Sequence, residues 1–408
     1  MADHSTKASA PIYTTKYKPH PTEKMQAAQW MGTKSVKIAD VPKPTITAPK
    51  DAIVRVTHCC ICGSDLHMYG GEMNMAMQPG DILGHEAIGY IQDVGPEVQN
   101  FQAGDRVIIL PVIACGECFY CQKKEYSLCD RTNPSEAMDS LYGHRLSGIF
   151  GYSHLTGGYS GDQAEFCRVP NADIVLIKCP EDMAAKKALA LADVTDTAWH
   201  GVELAEVSEG DVVGKLSKEI RGAKKVYAID KDPHRLKIAE SHGMIAVDAS
   251  KVKADDYILS LEPHGLDRAI EASGFRSTDS AAHKAMRATG LEGDSADTVA
   301  EVIKATRKGG NVALIGDFFF NTNMFPIGML MEKTITLRGG QLFAQKQYFP
   351  FLMDLVKQGK YDPSFVFTKV DNFENIPQEY DMQFHQKVDG GLKSIMVTPY
   401  GRQLDQPL

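Results

Sequence analysis

The chain has 408 residues, is 43% hydrophobic and 24% charged, and carries 44 Lys plus Arg against 52 Asp plus Glu, a net charge of −8. That composition excludes disordered, collagenous and fibrous classes, and the acidic balance argues against nucleic acid or a membrane surface as partner, since both select a basic face. The length predicts two or three domains, with cores large enough to fold without disulfides.

Met1 to Lys24 is polar and mixed in charge and lacks the apolar core of a secretory signal, so residues 1–24 are expected to form an N-terminal extension. No apolar run approaches the roughly 18 residues of a membrane span. Seven of the nine cysteines fall between Cys59 and Cys129. An odd, clustered set without a secretory context points to thiolates and metal rather than disulfides, and to a cytoplasmic location.

From Gln26 to about Lys178 the pattern predicts β structure. Alternations such as Ala52-Ile53-Val54-Arg55-Val56 and Arg106-Val107-Ile108-Ile109-Leu110 are separated by Gly, Pro and Asp turns. Within this region Cys62-Gly63-Ser64-Asp65-Leu66-His67 and Gly84-His85-Glu86 offer a thiolate and an imidazole. Alone these are only a pair of candidate zinc ligands, because a catalytic zinc needs a third protein ligand and an open position. Further on, Cys115-Gly116-Glu117-Cys118-Phe119-Tyr120-Cys121 is followed by Cys129. Four thiolates at this spacing can close tetrahedrally around one zinc with no position left open, which makes the site structural. Free or disulfide-bonded cysteines, or an iron–sulfur cluster, are the alternatives at this point.

From about Ala184 strands and helices alternate. Met183 to Leu191 is Ala/Leu-rich and helical, and Lys225 to Asp230 is a buried parallel-type strand. A helix follows from Asp232 to Gly243, with Pro at its first turn and Gly at its end. Ala246-Val247-Asp248, Leu266–Glu271, Asn311–Gly316 and Thr334–Arg338 are further strand candidates, and the alternation predicts a doubly wound parallel sheet. Phe349 to Lys357 reads as a helix, and Ser364–Val370 and Ser394–Val397 return to β.

Gly84-His85-Glu86, Gly89, Gly95 and Val98 match the zinc signature of the medium-chain alcohol dehydrogenases, as do Cys62-Gly63-Ser64-Asp65 and the four-cysteine loop. The chain most resembles the subgroup of glutathione-independent formaldehyde dehydrogenases and related zinc-type alcohol dehydrogenases. Gly151 to Gly158, Leu191-Ala192-Asp193, Met331-Glu332-Lys333 and Leu337 to Gln341 carry that closer likeness. The resemblance implies an α/β plus β architecture. A GroES-like β-rich catalytic domain (25–197 and 345–408) would hold an inserted Rossmann domain (198–344). It implies two Zn²⁺ per subunit, one on Cys62, His85 and Asp193 and one on Cys115, Cys118, Cys121 and Cys129. Glu86 would lie beside the first metal and Asp65 would orient the site. Ser64 and His67 would relay a proton, and Thr197 would lie near the nicotinamide. The implied reaction passes a hydride between a small alcohol or aldehyde, formaldehyde-like, and NAD. Relatives form homodimers or homotetramers, and the same is expected here.

The cofactor site departs from the family. No G-x-G-x-x-G occurs. Glu209-Gly210-Asp211-Val212-Val213 resembles the lead-in to the first Rossmann strand, and Arg221 to Lys225 resembles the end of the first helix and the entry to the second strand. Only Val212 to Arg221 lies between Asp211 and Gly222, where a strand, turn and helix need about 19–20 residues. The first βα unit is therefore truncated near 212–221, and Gly214 to Ile220 has room for a short helix at most. Asp230, at the end of the second strand, is placed to accept the ribose 2′-OH and favours NAD over NADP, and Arg235 lies one helical turn on. Three accounts of the gap compete: a segment missing from the sequence, a relative with impaired NAD binding, and a shortened working turn. An aldehyde dismutase with tightly held NAD is the nearest rival activity.

Overall fold

The computed structural model describes residues 14–213, 220–275, 294–342, 345–385, 391–404 and 407–408. The chain divides into two compact units, Met1–Asp196 with Phe343–Leu408, and Thr197–Leu342. The first unit carries β1 (Lys18–Gly32), β2 (Ser35–Thr45), β3 (Ala52–Cys60), β4 (Ala87–Val94), β5 (Arg106–Ile109), β6 (Val112–Ile113), β7 (Gly148–Ile149), β8 (Phe166–Val169) and β9 (Leu176–Lys178). The second carries β10 (Val212–Val213), β11 (Lys225–Asp230), β12 (Ile245–Asp248), β13 (Leu266–Glu271), β14 (Thr306–Leu314) and β15 (Thr336–Gly339). The chain then returns to the first unit with β16 (Phe367–Asn372) and β17 (Lys393–Val397).

In the first unit β1 and β2 form an antiparallel hairpin in which Lys18 pairs with Thr45 and Trp30 with Val36. Residues 18–24, which the sequence reading places in an extension, thus lie in a paired strand. The main sheet runs β16-β17-β3-β4-β5-β9, with β8 also against β3. Its central strands are covered on both faces: all of β5 and all of β3 except Arg55 are buried, so the polar Thr57, His58 and Arg106 lie inside as well.

Short helices interrupt this β region. Gly63–Gly70 directly follows β3, and Glu136–Tyr142 starts on Ser135, whose hydroxyl accepts the Met138 N–H. The segment expected as a strand from Ser364 begins as a 3-10 turn, Pro363–Val366. The Asp362 carboxylate accepts the Ser364 N–H at 3.0 Å and Pro363 supplies a helical φ, so the strand starts only at Phe367.

The second unit has the expected strand–helix alternation. Helix Pro233–Ser241 opens on Asp232, which accepts the N–H groups of His234 and Arg235. Helices Ala254–Leu261 and Asp297–Ala305 add the buried Ile258, Val299 and Ile303 to a core shared with Tyr227, Val247, Leu266, Ala269 and Val312. The strands form two three-stranded parallel sheets, β10-β11-β12 and β13-β14-β15. Placed end to end this is the order 3-2-1 followed by 4-5-6, with β10 in the middle described over Val212–Val213, directly before residues 214–219. Among the described residues no ladder joins β10 to β13. Side chains bridge the gap instead: the Val212 N–H donates to Asp267 Oδ2 (3.2 Å), and Arg268 pairs with Asp211 (3.2 Å). The expected short helix over Gly214–Ile220 lies largely outside the described residues.

Candidate active site

Two groups of metal-ligating side chains stand in the first unit. In each, the ligand atoms lie within 4.8 Å of one another.

The first is Cys115, Cys118, Cys121 and Cys129, all buried. Gly116 has φ +76°, a left-handed turn that a glycine adopts without strain. That turn aims the N–H groups of Glu117 and Cys118 at Cys115 Sγ, both at 3.3 Å, and the Cys115 N–H reaches Cys129 Sγ at 3.4 Å. Such donors favour thiolate over thiol. Sulfur separations are 3.8 Å for Cys115–Cys121 and 3.9 Å for Cys118–Cys129. Zn–S bonds of about 2.3 Å put tetrahedral sulfurs about 3.8 Å apart, so the four cysteines fit one zinc as they stand.

The second group is Cys62, His85, Glu86 and Asp193. Cys62 sits at the turn where β3 becomes helix Gly63–Gly70, His85 and Glu86 lead into β4, and Asp193 precedes helix Val194–Leu204. Cys62 Sγ is 3.7 Å from Asp193 Oδ2, and His85 Nε2 is 3.9 Å from the same oxygen. Asp65 Oδ2 accepts the Cys62 N–H at 2.9 Å, and Asp65 Oδ1 faces His85 Nδ1 at 3.5 Å. An Nδ1–H aimed at Asp65 leaves the Nε2 lone pair for a metal. One thiolate, one imidazole and a carboxylate around a shared point are S, N and O donors of the kinds that zinc takes.

Glu86 is fully buried and does not stand alone. Lys393 Nζ donates to both of its oxygens, and the Cys60 thiol donates to Oε2 at 2.8 Å. Burial works against the charge, yet the Lys393 ammonium, His85 and the Cys60 thiol outweigh it and hold the carboxyl down at about 2. Sequence reasoning missed Lys393 and Cys60. Lys393 is 307 positions from Glu86, and only the pairing of β17 with β3 brings it there.

Ser64 Oγ lies 3.2 Å from His85 Nε2. His67 is one turn further along the same helix and is buried rather than in an exposed loop. In the second unit Thr197 is half-buried within helix Val194–Leu204. Asp230 closes β11. Its Oδ1 accepts the N–H groups of Lys231 (2.7 Å) and Asp232 (2.9 Å), and its Oδ2 faces Arg235 Nη1 at 3.5 Å. The carboxylate remains partly exposed, as a group that meets a ligand must be. Residues 214–219, where a phosphate-binding turn would fall, lie outside the described residues.

Comparison with known proteins places this geometry in a family. Residues 48–181 match the alcohol dehydrogenase GroES-like domain. A zinc-type alcohol dehydrogenase-like protein of Schizosaccharomyces pombe is 42% identical over 395 residues, 93% of each chain. The glutathione-independent formaldehyde dehydrogenase of Pseudomonas aeruginosa is 30% identical over 315 residues, 70% of this chain and 73% of that protein. The solved structure of alcohol dehydrogenase TADH from Thermus sp. ATN1 superposes with a TM-score of 0.77 at 29% identity, covering 92% of this chain and all of that one. No helix among the described residues is long and apolar enough to cross a membrane. With a donor set suited to zinc, a matching domain and relatives aligned along most of its length, the chain belongs to the zinc-type alcohol dehydrogenase family of oxidoreductases.

Proposed function

We propose that the protein oxidises a small primary alcohol or aldehyde hydrate, formaldehyde being the model substrate, with NAD as hydride acceptor. The observation that carries this reading is the convergence of Cys62, His85, Glu86 and Asp193 on one point. Cys62, His85 and Asp193 hold the catalytic zinc, and Cys115, Cys118, Cys121 and Cys129 hold a structural one. Zinc bound at the first site would supply Lewis-acid polarisation of the substrate oxygen, and bound NAD would supply a hydride acceptor. The two anionic ligands, Cys62 and Asp193, balance the metal charge, while Lys393 neutralises Glu86 beside it. Asp65 fixes the His85 tautomer. The Ser64 hydroxyl, beside His85, accepts the substrate proton, and His67 carries it outward. Asp230 accepts from the adenosine ribose, with Arg235 against its carboxylate, and Thr197 contacts the nicotinamide.

The test is a purified full chain assayed for zinc content and for NADH formation from formaldehyde and short primary alcohols. Two zincs with alcohol-dependent NADH formation, abolished in His85→Ala, is the expected result. Two zincs with no turnover of any of these substrates sinks the reading. A second reading, a zinc-binding relative with impaired NAD binding, is favoured by the lack of a G-x-G-x-x-G motif and by the ten residues between Asp211 and Gly222. Saturable fluorescence enhancement of NADH by the chain would remove it.

A further inference from the structure

We propose that Gln163 and Tyr380 are positioning residues of the catalytic zinc site, setting the Asp65 carboxylate and through it the His85 ring. The inference rests on the reading of Cys62, His85 and Asp193 as zinc ligands. Both side chains are completely buried. Gln163 Nε2 donates to Asp65 Oδ2 and to the Cys60 carbonyl, each at 3.1 Å, and Gln163 Oε1 accepts the Tyr380 hydroxyl at 2.9 Å.

The arrangement fixes the amide in one orientation. An ionised Asp65 and a backbone carbonyl can only accept, so both amide N–H groups are needed on that side. A flipped amide would set its oxygen against two acceptors. Tyr380, on helix Ile376–Phe384, fills the remaining acceptor with its O–H and packs its ring 5.4 Å from that of Tyr69, on the helix that Cys62 opens. With Oδ2 occupied by Gln163 and by the Cys62 N–H, the free oxygen of Asp65 is the one that faces His85 Nδ1.

The backbone of Gln163 joins the same place. Its N–H donates to the Leu83 carbonyl at 2.9 Å, two residues before His85. Gly84 has φ +99°, and a Cβ there would stand 2.5 Å from Gln163 Cγ, so the glycine makes room for this side chain. One residue thereby ties the end of β3, the Cys62 turn and the segment bearing His85. The structural zinc has no part in this network and serves as an internal control.

The experiment compares the zinc-loaded full chain with Gln163→Leu and Tyr380→Phe. Zinc release to a chelator is followed at each site, with the visible absorption of Co²⁺ placed in the catalytic site. Gln163→Leu is expected to release the catalytic zinc about 10–100-fold more readily, the range for outer hydrogen-bond partners of metal ligands. Tyr380→Phe, which removes one hydroxyl, is expected to lie at or below about tenfold. The structural zinc is retained in both, and the Co²⁺ bands shift. If Gln163→Leu does not fold, Tyr380→Phe decides. Two zincs in the unmodified chain, with release and Co²⁺ spectrum unchanged in the folded variants, overturns the proposal alone. A single zinc in the unmodified chain overturns the ligand reading and the proposal with it.

Discussion

The thiols of Cys115, Cys118, Cys121 and Cys129 come from fifteen consecutive residues, whereas Cys62 and Asp193 are 131 positions apart and reach a common point only through the fold. The local cluster is oriented by its own turn, through N–H groups of Cys115, Glu117 and Cys118. The scattered one is oriented by buried groups that the fold brings together, Asp65 facing His85 and Lys393 on Glu86 among them. A metal site that is closed and local needs little support beyond its backbone. A site that must keep a position open for substrate has fewer ligands to define it, and the surrounding protein supplies the missing constraint.

The largest effects should separate the two centres outright. His85→Ala is expected to lower turnover by about 10³-fold or more, the equivalent of several kcal/mol of lost Lewis-acid stabilisation, with one zinc per chain remaining. Cys118→Ser is expected to remove the other zinc and to open the lobe from Cys115 to Cys129 to proteolysis while the rest of the unit stays folded. Metal analysis with limited proteolysis checks both, and loss of both zincs from either variant would break the comparison.

Lys393→Met probes the buried support directly. It leaves Glu86 without its cation in a fully buried setting, which costs about 3–5 kcal/mol in urea unfolding at neutral pH. The deficit should shrink as pH falls, because a Glu86 freed of Lys393 relieves its penalty by taking up a proton. A deficit that is the same at pH 5 and pH 8 would contradict the role given to the pair.

His58 lies in β3, the buried strand that delivers Cys62, and burial together with the Arg106 charge lowers its imidazole to about 4. In the unfolded chain it titrates near 6.5, so its contribution is complete above that value and drains away as pH falls toward 4. Between pH 7 and pH 5 the loss is about 2 kcal/mol, and His58→Leu should flatten that part of the stability profile. The smallest effect is expected at the lobe surface. Glu117 pairs with Lys50 at 2.9 Å and Arg131 at 3.3 Å, all partly exposed. Glu117→Gln should change stability by about 1 kcal/mol or less and leave zinc retention untouched.

The same contrast decides what can be read from the sequence. Cys115 to Cys129 announces itself, because its geometry is contained in its spacing. Cys62 and His85 are visible only as a pair of candidate donors, and Asp193 enters through family likeness, since nothing local distinguishes a carboxylate after a short Ala/Leu-rich helix. Lys393 and Cys60 carry no local signal, because they meet Glu86 only where β17 and β4 flank β3. In the fold, the second unit's alternation of strands and helices is plain from its periodicity. The late start of β16 is not, because Asp362 and Pro363 divert an apolar stretch into a turn. The short count between Asp211 and Gly222 is legible as arithmetic, but the stretch it concerns, residues 214–219, lies outside the described residues.

The contacts between its two sheets bear on how the second unit comes apart. Among the described residues no strand ladder crosses between the two sheets, and side chains link them: Asp211 pairs with Arg268, and Glu206 pairs with Arg338 and accepts from Asn311. Ion pairs at partly exposed positions weaken as added salt shortens the Debye length, to about 8 Å at physiological ionic strength and about 3 Å at 1 M, whereas strand ladders do not. Raising ionic strength should therefore loosen the seam first, so that the amide protons of Val212 and Val213 exchange with solvent well before those of β11 or β14, and the unit opens as two cooperative blocks rather than one.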